Sequence, residues 1–286
     1  MNVRTVAWMV IAWAGGLFAF IGGAMAQDGV SHPWQINFQA PASPVMEKLV
    51  AFHDSVTILI TVISVFVLGL LLYIMWRFNS KSNPVPSKTT HNTVLEVAWT
   101  VIPIIILVAM AVPSIKLLYE FDVVPNPQTV QENFGITVDG EMVIKATGMA
   151  WMWMYDYPDH GVQGMDAFCA AGPVSYCMAE AGPDDNRLLE TTNRVVVPVN
   201  TLVRVQVTSE DWLHAWAVPA FGVKIDAVPG RITETWFVAT REGTFYGQCS
   251  ELCGEFHGFM PIAVDVVSRD EFEARISVLA ETYPVF

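Results

Sequence analysis

Two stretches of this chain carry no charge over a length that crosses a lipid bilayer, and they limit its fold more than any other feature. Residues 55–76 are uncharged and dense in Val, Ile and Leu, and residues 97–115 form a second such run between Glu96 and Lys116. At about 1.5 Å per helical residue, each reaches roughly 30 Å, the thickness of bilayer hydrocarbon. Pro103 and Pro113 would kink a soluble helix but are tolerable in a membrane bundle. A pair of buried core helices is the alternative. Composition counts against it, because 53% of the chain is hydrophobic and only 15% is charged, where ordinary soluble proteins have about a quarter.

The connector decides which way the hairpin points. Residues 77–93 carry Arg77, Lys81 and Lys88 and no acid, so this loop belongs on the cytoplasmic side. Both outer ends of the hairpin then face the exterior. Residues 1–26 agree, with one early base, Arg4, an apolar run, and Ala24-Met25-Ala26 as a small-x-small cleavage site. An uncleaved anchor is the alternative, and either delivers residue 27 outside. The organisation read from the chain is signal peptide 1–26, external segment 27–54, first span 55–76, cytoplasmic connector 77–93, second span 94–118 and external domain 119–286.

That domain holds 24 of the 28 acids but 9 of the 15 bases, which leaves it 15 charges negative. Nucleic acid is excluded as a partner, and a basic one is favoured. Residues 143–147, 151–157, 195–199, 202–207, 232–238, 245–248 and 262–267 are short and rich in β-branched or aromatic side chains, with Gly, Pro, Asn and Asp between them. Such segments predict strands, and seven of them close naturally as an all-β sandwich. Residues 269–282, with Phe272, Ile276 and Leu279 as apolar positions, predict a terminal helix packed on the outside. Residues 160–193 read as an excursion between strands with no legible pattern.

Residues 249–260 bring Cys249, Cys253, His257 and Met260 into one loop, and His214 lies upstream in Asp-Trp-Leu-His-Ala-Trp. Zinc would take two thiolates and two imidazoles and leave Met260 spare. A thioether beside thiolates and imidazoles is the soft set that copper prefers. A mononuclear blue-copper site needs one cysteine, so the second permits two thiolates to bridge two copper ions with one histidine each. Met260 would be the weak ligand of one ion and a backbone carbonyl of the loop that of the other. Such a pair shares one electron over both metals and suits a relay, not bond making. Taken in isolation, Cys249 and Cys253 would read as a disulfide and His214 as structural. Asp211 stands where a carboxylate could orient the His214 ring.

With these residues in view, the chain resembles subunit II of haem-copper cytochrome c oxidases, in a bacterial form, over residues 40–267. The resemblance is carried by the two spans, by Gly148-Met-Ala-Trp-Met-Trp-Met-Tyr-Asp-Tyr157, by Asp226-Ala-Val-Pro-Gly-Arg231 and by Gly247-Gln-Cys-Ser-Glu-Leu-Cys-Gly254. It implies a two-helix transmembrane hairpin plus an all-β cupredoxin-like Greek-key sandwich, set in the bacterial inner membrane with the sandwich in the periplasm. It also implies a dinuclear copper centre, CuA, held by His214, Cys249, Cys253, His257, Met260 and the main-chain carbonyl of Glu251. The Glu251 carboxylate would help hold magnesium against subunit I, Trp151 would be where electrons enter from cytochrome c, and Glu96 would stand at the mouth of a proton pathway. Implied partners are subunit I, where haem reduces oxygen and protons are pumped, subunit III, cytochrome c and membrane lipid.

The chain departs from that family at Ala150 and Met152, where the pattern has Gln and an aromatic residue around the first Trp. Cys169 and Cys177 lie outside the family motif and, in an exported loop, most simply form one disulfide. Glu210, Asp211 and Asp156 are candidate acids for attracting a basic cytochrome. For Trp151 the plain alternative is core packing, and for Glu96 it is an acid at a helix N-terminus. Among rivals, a nitrous oxide reductase-like chain would have a large second domain, a quinol oxidase subunit would lack the copper ligands, and a copper-handling scaffold would store metal without relaying electrons.

Overall fold

Ser43 starts the first helix eleven residues ahead of Asp54, the last charge before the uncharged run, by accepting a hydrogen bond from the Met46 N–H, with Pro44 in the first turn. In this computed structural model, which describes residues 30–31, 34–169 and 186–285, helix α1 spans Pro44–Arg77 and α2 spans Thr93–Asp122. Residues 1–26 and Cys177 lie outside the described residues. Mean hydropathy reaches 2.8 in α1 and 2.5 in α2, with none of either apolar stretch buried by the chain itself. Helices apolar all round and bare to their surroundings are membrane spans. At the other end of the hairpin, the Asn92 side chain accepts from the Leu95 N–H while the Asn92 N–H donates to Glu96, so Glu96 closes the first turn of α2.

Among the described residues, ten strands follow a short helix α3, Pro127–Phe134. They are β1 Gly140–Met149, β2 Met152–Tyr157, β3 Val162–Ala167, β4 Val195–Pro198, β5 Thr201–Ser209, β6 His214–Val218, β7 Val223–Ala227, β8 Thr233–Val238, β9 Gly243–Gln248 and β10 Pro261–Val267. One sheet runs β3-β2-β1-β5-β8 and another β4-β10-β9, with β6 and β7 as a pair between them. The β1–β5 and β4–β10 pairs are parallel, so the chain crosses between layers instead of closing each pair by a hairpin. Between the sheets, Phe221 stacks on Phe237 at 4.4 Å and packs on Phe245 at 4.9 Å. Helix α4, Arg269–Thr282, seals one end with Phe272 and Ile276 buried, where the sequence predicts it.

The hairpin is fastened to the sandwich. Ala42 donates to Ala220 O and accepts from Thr240 N–H, and the Ser43 hydroxyl donates to Phe221 O. Val45 is buried with Val130, Leu202, Trp236 and Val238. Lys48 Nζ reaches Glu120 Oε2 at 2.7 Å and lies 4.0 Å over the Phe134 ring.

All seven sequence-predicted strands are present, with ends moved by up to three residues. The excursion at 160–193 contains β3, whose Gly and Asp hide its alternation. Strands β6 and β7 escape the pattern because each holds few β-branched residues: β6 is His-Ala-Trp-Ala-Val and β7, Val-Lys-Ile-Asp-Ala, includes Lys, Asp and Ala, which are depleted in strands. Cys169 is disulfide-bonded, whereas Cys249 and Cys253 are free thiols.

Candidate metal centre

The loop between β9 and β10 is closed at its base by the Cys249 N–H, which donates to Met260 O at 3.0 Å. It is stitched to β6 by the Ser250 N–H, which donates to Ala215 O. Strand β9 approaches β6 this closely because position 247 is glycine. A Cβ there would overlap the Ala217 carbonyl oxygen and lie 2.9 Å from its carbon. This crossing carries His214, the first residue of β6, to the thiols. Gly148 on β1 floors the site, since a Cβ there would stand 2.8 Å from His214 Cδ2.

Four donors from the two distant segments form an unbroken series. His214 Nδ1 is 3.8 Å from Cys249 Sγ, which is 3.8 Å from Cys253 Sγ, which is 3.5 Å from His257 Nδ1. Metal–sulfur bonds of about 2.3 Å let one ion touch both sulfurs at such a separation, and metal–nitrogen bonds of about 2.0 Å let it reach a neighbouring imidazole as well. The donor atoms of His214, Cys249 and Cys253 lie within 4.8 Å of one another, while His257 extends the series at the far sulfur. An imidazole at each end of a thiol pair suits two ions better than one zinc tetrahedron. Met260 is fully buried at the loop's base, and the Glu251 carbonyl is 3.3 Å from Cys249 Sγ. Two thiols, two imidazoles, a thioether and a carbonyl are a soft donor set that fits copper.

Burial opposes charge on the His214 ring, yet contact with Cys249 and Asp211 raises its pKa above the ordinary 6.5. Asp211 Oδ1 is 2.9 Å from His214 Nε2, which turns Nδ1 toward the thiols. Burial raises the Asp211 carboxyl, but hydrogen bonds from His214 and from the Trp212 and Ala150 N–H groups bring it below its ordinary value. The two thiols are split. Burial disfavours both thiolates, but contact with the His214 ring and backbone hydrogen bonds depress Cys249, while burial and the neighbouring Cys249 charge raise Cys253.

The Trp151 indole N–H donates to Cys253 O at 2.9 Å, so this half-buried ring, which also packs against the sandwich core, is tied to the loop. Glu251 is half-buried beside the thiols. Glu96 stands apart on the hairpin as a helix-cap carboxylate. Of the candidate docking acids, Asp156 is taken up by Lys145 and the Gly164 N–H, Asp211 is turned onto His214, and Glu210 remains exposed. Gly148, Gly247 and Trp212 were not singled out from sequence. A glycine inside a strand pattern is the available signal for the first two, because it marks close backbone approach.

Comparison with known proteins agrees along the chain. The family described as "Cytochrome C oxidase subunit II, periplasmic domain" matches residues 142–267, and that described as "Cytochrome C oxidase subunit II, transmembrane domain" matches residues 31–117. A probable cytochrome c oxidase subunit 2 of Rickettsia bellii is 45% identical, over 90% of this chain and 88% of that protein. Cytochrome c oxidase subunit 2 of Cyanidium caldarium is 42% identical, over 89% of this chain and 94% of that protein. Among solved structures, the periplasmic domain of subunit II of the Bradyrhizobium japonicum cytochrome oxidase is 45% identical. It covers 56% of this chain and 99% of that one, with a TM-score of 0.46.

Proposed function

Because this chain belongs to the cytochrome c oxidase subunit II family and is therefore a membrane component of that enzyme complex, we propose that His214, Cys249, Cys253, His257, Met260 and the Glu251 carbonyl hold a dinuclear copper centre that receives electrons from cytochrome c. Copper would supply one-electron storage shared over two ions and two sulfurs. The residues do the rest. Asp211 holds the His214 tautomer, Gly148 leaves room for the ring, and the β6–β9 crossing fixes the thiols before metal arrives, so little need move when charge changes. Trp151 presents part of its ring at the surface and ties it by one hydrogen bond to the Cys253 carbonyl, a short path of one hydrogen bond and the Cys253 backbone from the outside to a proposed ligand.

The wider reading follows from the same premise. The sandwich faces the periplasm and the basic connector the cytoplasm of a bacterial inner membrane. The Glu251 carboxylate helps hold magnesium against subunit I, and electrons leave this chain for haem there, where oxygen is reduced and protons are pumped. Subunit III completes the set of membrane partners, and Glu96 stands at a proton pathway's cytoplasmic mouth. The observation that carries the proposal is the imidazole–thiol–thiol–imidazole series. Metal analysis and EPR of the full chain in detergent test it. Two coppers per chain with a mixed-valence signal and near-infrared absorption are expected, and one copper with a mononuclear spectrum would overturn it.

A further inference from the structure

Between the two spans, at the end next to the sandwich, runs a groove of about 590 Å³. Ala51, Ser55 and Leu59 of α1 form one wall, and Ile106, Ala109 and Pro113 of α2 the other. Three of these six side chains are no larger than serine, so the helices leave the space between them unfilled. The Ser55 hydroxyl donates to Ala51 O at 2.9 Å, which spends the single polar side chain of the six inside its own helix. Charge is confined to one end, where Lys48, Lys116 and Glu120 line the groove in the turns of both spans next to the sandwich. Glu120 is 15% exposed and holds Lys48 at 2.7 Å, whereas Lys116 is 78% exposed and 3.7 Å from the same carboxylate. Two ammoniums against one carboxylate leave one positive charge over, and Lys116 carries it outward. Glu47, Asp54 and Asp122 do not offset it, because at about 100° per residue each lies about 100° or more around its helix from the groove's midline.

We propose that this groove is a lipid site, which takes an acyl chain of an anionic glycerophospholipid from the leaflet on the sandwich side and sets the lipid's phosphate on Lys116. The walls from Lys48 to Leu59 and from Lys116 to Ile106 run about 15 Å at about 1.5 Å per residue, which is half of the roughly 30 Å of bilayer hydrocarbon, or one leaflet. Apolar walls one leaflet deep with a surplus cation at the headgroup end match an amphiphile with a negative head. A zwitterionic lipid brings its own cation to the same place and gains less. The groove's volume over that depth gives a section of about 40 Å², whereas a helix about 10 Å across needs roughly 80 Å². An acyl chain can therefore enter where a helix of another subunit can only lie across the opening. With the phosphate on Lys116, Glu120 is left to Lys48, the residue that also covers the Phe134 ring, so the lipid completes the charge pattern that fastens the hairpin to the sandwich.

The test places the complete oxidase in phosphatidylcholine nanodiscs with a trace of phosphatidylglycerol, or of phosphatidylcholine, that carries a diazirine halfway along one acyl chain. After illumination, the labelled residues are mapped by peptide mass spectrometry. Labels are expected on residues 55–59 and 106–113, about fivefold stronger from phosphatidylglycerol, the effect of one lysine on an anionic headgroup. Lys116→Gln, on an exposed side chain outside the Lys48–Glu120 pair, is expected to bring the phosphatidylglycerol yield down to the phosphatidylcholine level and to leave the latter unchanged. Ala109→Phe fills the groove and is expected to lower both yields; should that variant fail to assemble, Lys116→Gln carries the test. Labels that fall on other faces of the spans and never on the groove would overturn the proposal and assign the groove to another subunit. Equal yields from the two lipids in wild type, or a preference for phosphatidylglycerol that survives Lys116→Gln, would overturn it as well. The copper centre takes no part in these measurements, so their failure leaves the relay reading as it stands.

Discussion

Met260 and Gly148 show how much of the centre rests on single atoms. Met260 is fully buried, and Met and Leu fill nearly the same volume, so Met260→Leu should cost less than about 1.5 kcal/mol of stability. It removes the thioether, so the copper potential is expected to move and electron transfer to slow, as read by potentiometric titration followed at the near-infrared band. An unchanged potential would remove Met260 from the ligand set. Gly148→Ala acts from the other side, since a methyl 2.8 Å from the His214 ring must push a side chain that has nowhere to go. Its expected signature is an altered copper hyperfine pattern and roughly 10- to 100-fold weaker metal binding, the scale of losses when the support of a ligand is disturbed, with the sandwich still folded by circular dichroism. The proposed ligands, which the structure brings together as a series from His214 to His257, were legible as candidates because their chemistry is written in their residue types and spacing. The glycines that let them meet were not, because a glycine's reason is the atom opposite it, here the His214 ring, which lies far away in sequence.

Strands were legible where β-branched or aromatic residues run together, whether or not one face is wet: β4 and β10 are buried throughout and were read, whereas β6, His-Ala-Trp-Ala-Val, holds two alanines and a histidine among its five residues and was not, even though it carries His214. The segment that returns from the unreadable excursion is fixed by charge. Arg194 makes two hydrogen bonds to Glu190, each 2.8 Å, and a third contact of 3.2 Å to Asp265, which also receives Arg275 at 2.8 Å. Burial raises the Glu190 carboxyl, but Arg194 and the Tyr246 hydroxyl outweigh it and hold the group below its ordinary 4.5. A depressed carboxyl contributes stability that is present above its ordinary pKa and lost as pH falls through the folded value. Glu190→Gln should therefore flatten the acid limb of the thermal midpoint below about pH 5, with a loss near neutrality of about 1 kcal/mol or less because the pair is partly solvated. Parallel acid limbs in the two proteins would show that the return segment is not held by this charge.

At the scale of the whole molecule, the proposed copper ligands sit in the sandwich and the membrane spans in the hairpin, and a relay would need a fixed distance between them. The sequence places the spans and the strand-rich segment apart but gives no sign of how they join, because the joint consists of contacts between residues about 70 to 200 positions apart. The first turn of α1 is buried against β5 and β8 through Val45, and Lys48 binds Glu120 of α2 while covering the Phe134 ring of α3. One ammonium thus ties both spans to the short helix that leads into β1. Lys48→Met keeps the aliphatic stem and removes the charge, forfeiting a cation–π contact and an ion pair worth together about 1–2 kcal/mol. Opening of the joint is then expected to be roughly tenfold more frequent, read as faster hydrogen exchange across residues 123–139 in the intact oxidase, while the copper EPR spectrum and donor affinity stay as in wild type. Under the proposed relay, onward transfer to haem in subunit I should slow, because the loosened joint lets the sandwich move relative to the membrane spans, while the donor step on the sandwich surface is unaffected. Exchange at the wild-type rate would assign the joint to the buried Val45 and Val130 packing, and the lysine would then be a bystander.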